Sequence, residues 1–66
     1  MNLDQRLLKY LSDQAKILGS VEINLTHQQV ADDLHYSRVV ISRLLKQLET
    51  KGEIKLLRNK IILKNF

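Results

Sequence analysis

Sixty-six residues make one domain at most, with a core near the lower limit for independent folding. The absence of cysteine excludes disulfides and thiolate zinc sites, and no apolar run approaches the roughly 18 residues of a membrane span. The net charge of +4 is unevenly spread: residues 1–36 carry three cations against five acids and residues 37–66 eight against two, so a surface for polyanions is expected in the second half.

Residues 3–18 read as an amphipathic helix. Leu3, Leu7, Leu11, Ala15 and Leu18 recur at three- and four-residue steps, and Leu8, Tyr10 and Ile17 widen the stripe. Asn2 stands at the N-cap and Gly19 at the stop. The N-terminus is too charged and too periodic for a signal peptide. "VEINL", residues 21–25, alternates apolar and polar as a short strand does. A helix over 26–34 follows. Thr26 caps it, Gln29 three residues later completes a capping box, and Leu25 and Val30 form the matching hydrophobic staple.

Only His35 and Tyr36 separate Leu34 from Ser37, the cap of a helix over 37–51 with Tyr36 and Ile41 in the staple positions. So short a link makes the two helices cross sharply, as in a helix-turn-helix. Gly52 sits where a left-handed C-terminal residue is wanted. Residues 53–57 and 60–63 are β-rich runs around Arg58 and Asn59. Asn59 tolerates positive φ, so 53–64 reads as a hairpin with a two-residue turn, its type left open.

The order of elements is that of a winged helix-turn-helix. It is a mainly α fold with a small β wing: three helices, a short strand and a C-terminal β-hairpin, filling residues 1–66 as a single domain. The expected core includes Leu7, Leu11, Val30, Leu34, Ile41, Leu44, Leu45, Leu48, Ile54 and Leu56.

The helix over 37–51 carries the functional argument. Successive residues turn by about 100°. With Arg38 at zero, Ser42 falls at about 40°, Lys46 at about 80°, Val39 at about 100° and Arg43 at about 140°. Val40 lies on the border of this arc at about 200°, and Ile41, Leu44, Leu45 and Leu48 occupy the opposite side. Arginine bonds guanine O6 and N7 in a bidentate way, and serine bonds a base or a phosphate. A small apolar group suits the methyl of thymine, which gives Val39 a use among the arginines. Arg38, Val39, Ser42 and Arg43 are therefore the expected base readers. Thr26, His27 and Gln28 at a helix start, Ser37, Val40 and Lys46 on the second helix, and Arg58, Asn59 and Lys60 at the hairpin tip are expected on phosphate.

Other chemistry is poorly supported. His27, Asp32, Asp33 and His35 lack the paired spacing of a tetrahedral metal site, and His35 has a simpler use as a turn residue at positive φ. No nucleophile triad, glycine-rich phosphate loop or buried carboxylate pair is present, so neither an enzyme nor a cofactor site is expected.

From Leu25 onward the chain resembles the C-terminal winged helix of the catabolite-activator/Fnr superfamily of bacterial transcription regulators. Thr26, Gln28, Ser37, Arg38, Ile41, Arg43, Leu45, Leu48, Glu49 and Gly52 occupy the positions of that pattern. The preceding "DQRLLKYLSDQAKILG" is similar to the helix that leads into the domain. The resemblance implies Arg43 on a guanine. Two positions depart from it: Val39 stands where the family usually has a glutamate, and His35 where it tends to have glycine at the helix–helix turn. Valine cannot accept from cytosine N4, so the target should differ at that step. The resemblance also implies a ligand-sensing β-barrel and a long pairing helix that this chain lacks.

The expected partner is double-stranded DNA, in the cytoplasm on the nucleoid and with no membrane. A monomer is expected for the isolated domain and a dimer only within a longer regulator. The alternatives are a free-standing small regulator and a winged helix that meets an acidic protein.

Overall fold

The computed structural model describes residues 3–64; Asn2, expected as the first N-cap, lies outside them. The elements are α1 (Leu3–Leu18), β1 (Glu22–Ile23), α2 (His27–Leu34), α3 (Arg38–Thr50), β2 (Ile54–Leu57) and β3 (Lys60–Leu63). This is the mainly α fold with a small wing that the pattern of residues predicts.

Each helix stops in the same way. Beyond α1, Gly19 takes φ 69° and the Ser20 amide donates to the Ala15 carbonyl at 3.1 Å. Beyond α3, Gly52 takes φ 79° and the Glu53 amide reaches the Leu48 carbonyl at 3.1 Å. Beyond α2, His35 takes the left-handed conformation itself, at φ 62° and ψ 41°. The Tyr36 amide then donates to Ala31 at 3.0 Å and the His35 amide to Asp32 at 3.3 Å. These paired bonds form the Schellman motif, which satisfies carbonyls that a helix end leaves open.

The starts are equally local. Thr26 Oγ1 accepts the Gln29 amide at 3.1 Å, and Gln29 Oε1 accepts the Thr26 amide at 2.9 Å, closing the capping box. Ser37 Oγ accepts the Val40 amide at 3.2 Å. Thr26 and Ser37 are thus caps outside their helices, and Lys51 lies just past the end of α3.

The sheet is antiparallel, in the order β1-β3-β2. Glu22 faces Ile62 and Ile23 faces Ile61, while Ile54 to Leu57 run against Leu63 to Lys60. The strand expected over 21–25 is confined to two residues. Residues 24 and 25 must leave the sheet to reach the cap of α2, although the Val21 carbonyl still accepts the Leu63 amide at 3.0 Å. In the hairpin turn only Asn59 has positive φ, 59°, which rules out the I′ turn with two such residues.

One contiguous core joins all six elements: Leu7, Leu11 and Ala15 from α1, Val30 and Ala31 from α2, Ile41, Leu45 and Leu48 from α3, and Ile23, Ile54, Ile61 and Leu63 from the sheet. Leu34, Leu44 and Leu56 pack against it partly buried. Leu18 and Ile17 depart from the expected stripe. Both are exposed, Ile17 at 77%, because α1 runs one turn past the surface it covers.

Polar links hold α1 to the helix pair: Tyr10 donates its hydroxyl to Asp33, and Arg6 donates to the Tyr36 hydroxyl at 2.9 Å. Burial, then the Asp33 carboxylate, holds the Tyr10 phenol well above its ordinary range. Another link ties α3 to the hairpin, where Glu49 Oε2 accepts the Leu56 amide at 2.9 Å.

Candidate nucleic-acid interface

β1 pairs with β3, so the chain enters α2 beside the hairpin. An open groove results there. Thr26, His27 and Gln28 line it from the start of α2, Arg38 from the start of α3, and Leu56, Leu57, Arg58 and Asn59 from the wing. Six residues expected on DNA from three separate stretches of sequence therefore share one concavity. The capping box uses the amides of Thr26 and Gln29, which leaves those of His27 and Gln28 with no acceptor inside the helix. Open amides at the positive end of a helix dipole favour an anion.

The side chains around the groove are already partly engaged. Gln28 donates from Nε2 to Asp32 at 2.8 Å. His27 Nδ1 lies 2.8 Å from Ser42 Oγ, joining the first turn of α2 to the second turn of α3. Burial, and then the positive charge of Arg38, holds the His27 pKa below its ordinary 6.5. The ring is therefore neutral near pH 7, with one nitrogen donating and the other accepting.

On α3, Arg38, Val39, Arg43 and Lys46 are exposed, with Val39 at 66%, and Val40 stands at the edge of this face at 38%. Ser42 differs from the other expected base readers: it is half-buried and drawn toward α2 by His27. Ser37 is exposed, but its hydroxyl serves as the cap of α3.

Lys60 also has a local partner. Its ammonium lies 2.7 Å from Glu22 Oε1, and Lys60 is not part of the groove lining. Lys51 pairs with Asp4 at 3.4 Å. Among the described residues neither ion pair involves Arg38, Arg43, Lys46 or Arg58. Asp4 and Glu22 thus pair with cations outside the exposed face of α3, which keeps its arginines and Lys46.

Leu57 was not among the expected contacts, yet it is exposed and lines the groove. Strand alternation carries the signal: with Ile54 and Leu56 turned inward, Leu57 faces out. The residues weighed for a metal site have separate uses, His27 with Ser42, Asp32 with Gln28, Asp33 with Tyr10, and His35 in the turn.

Comparison with known proteins adds the following. The model of a family described as a Crp-like helix-turn-helix domain matches residues 5–66. A solved chain described as a transcriptional regulator of the Crp/Fnr family, from Eubacterium rectale, superposes with a TM-score of 0.91 at 35% identity. The match covers 94% of this chain and 29% of that one. A Crp/Fnr-family transcriptional regulator from Thermus thermophilus superposes with a TM-score of 0.89 at 21% identity, over 98% of this chain and 37% of that one, a likeness of fold. The chain thus spans about a third of the length of these two structures. No curated protein matches it.

Proposed function

The chain belongs to the family of Crp-like helix-turn-helix domains, and from that premise we propose that it binds double-stranded DNA sequence-specifically, as the DNA-binding domain of a bacterial transcription regulator. A helix about 10–12 Å across fits a major groove about 12 Å wide. α3 enters that groove with its N-terminal half against the bases. Arg43 and Arg38 reach base edges, with a guanine O6 and N7 edge as the natural partner of Arg43. Lys46, the start of α2 and the hairpin tip at Arg58 and Asn59 hold phosphates and set the register of α3.

The observation that carries this reading is the shared groove. It brings the open amides of α2, the first arginine of α3 and the basic wing tip to one side of the molecule. Ser42 supports the α2–α3 geometry through His27. Such a domain works on the nucleoid in the cytoplasm. It gains affinity from a second copy when a longer regulator pairs two of them.

Selection of duplexes from a random library on the purified chain tests this. A defined motif, bound in the presence of excess unrelated duplex, is the expected result. Binding abolished by any unrelated duplex would refute sequence reading and leave only a phosphate hold on DNA, and no binding to any duplex would leave the basic face to a protein partner.

A further inference from the structure

The first two turns of the exposed face of α3 offer little to hydrogen-bond with besides the two arginines. Val39 stands between Arg38 and Arg43 with two-thirds of its surface open, and Val40 borders it. The neutral hydroxyl in that stretch, on Ser42, is engaged by His27 at 2.8 Å. The Ser37 hydroxyl is engaged by the Val40 amide. The arrangement is a small branched apolar knob flanked by cations, with each of the nearby hydroxyls already held in one hydrogen bond within the fold.

Resting on the reading of α3 as a major-groove helix, we infer that Val39, bordered by Val40, recognises the C5-methyl group of a pyrimidine. Its selectivity is for the methyl group and not for thymine as such. The flanking arginines fix the kind of surface: they require a polyanion, and on the major-groove edges of DNA the exposed apolar group is the pyrimidine C5-methyl. Valine has no donor or acceptor with which to test the rest of the base. Thymine and 5-methylcytosine present that methyl at the same ring position. The position opposite Val39 should then accept either base, and unmodified cytosine or uracil poorly. Through this one residue the domain becomes sensitive to cytosine methylation at its site.

The experiment measures binding of the full chain to its selected duplex by fluorescence anisotropy. Each thymine is replaced in turn by deoxyuridine, and then, opposite guanine, by cytosine or 5-methylcytosine. At one position uracil should weaken binding about fourfold, the scale of one lost apolar methyl contact. There 5-methylcytosine should bind more tightly than cytosine by a similar factor. Val39→Ala should remove most of both differences and leave the effect of Arg43→Ala in place. Uracil tolerated at every position, or a uracil penalty that survives unchanged in Val39→Ala, would overturn the inference while specific DNA binding stands. Failure to bind any duplex specifically would overturn both it and the reading beneath it.

Discussion

Arg43 and Arg58 are both exposed cations without an acidic partner among the described residues, yet a duplex should distinguish them. Arg43→Ala should cost about 1–3 kcal/mol on the selected site and relax preference at one base pair. Arg58→Ala should weaken all duplexes alike and lower the salt slope by about 1, measured as log K against log salt. Lys60→Ala should do less than Arg58→Ala in the same titration, because Glu22 already holds that ammonium. His27 gives a pH prediction. The fold lowers its pKa below 6.5, so it favours the neutral ring. That stabilisation is complete above pH 6.5 and is lost as pH falls through the folded pKa. The melting temperature should therefore drop more steeply between pH 7 and 5 for the natural chain than for His27→Gln. The exposure of Val39 and Arg43 was legible in the sequence, because a helical wheel needs only the phase of one element. The engagement of Ser42 and Lys60 was not: their partners lie 15 and 38 residues away, and periodicity says nothing about such pairs.

The caps are the most legible elements, because their chemistry closes within a few residues. Thr26→Ala should cost about 1 kcal/mol in a denaturant titration, since it removes one arm of the capping box. His35 occupies a left-handed position that glycine takes with less strain. His35→Gly should therefore raise the melting temperature, or leave it level where the added freedom of the unfolded chain offsets the relief. Leu45 is fully buried at the centre of α3, and Leu45→Ala should cost about 2–5 kcal/mol, a large share of a small domain's stability. Less of α1 and β1 was legible. A repeat of leucines gives the phase of a helix but not where its partner surface ends, so Leu18 and Ile17 continue the apolar stripe of α1 yet lie exposed. The alternation in "VEINL" likewise marks an extended segment but not how much of it finds a neighbour in β3.

At the scale of the whole molecule, the charges are sorted by the fold more sharply than by the sequence. Asp4 and Glu22, from the acidic half, reach across to Lys51 and Lys60 of the basic half, and among the described residues neither ion pair takes up Arg38, Arg43 or Lys46 of α3. The isolated chain is expected to sediment as a monomer at micromolar concentration, since no heptad seam is present, and two copies joined by a flexible linker should bind a paired site far more tightly than one. The sheet bears on the same question. β2 is an outer strand, and the N–H groups along an outer strand are a template on which a strand from another molecule can add. The Glu49 carboxylate occupies the Leu56 amide on that side. A helix side chain thus stands where an invading strand would pair, so Glu49→Ala should leave the wing's outer strand more open to strand addition, seen as faster aggregation in a light-scattering time course.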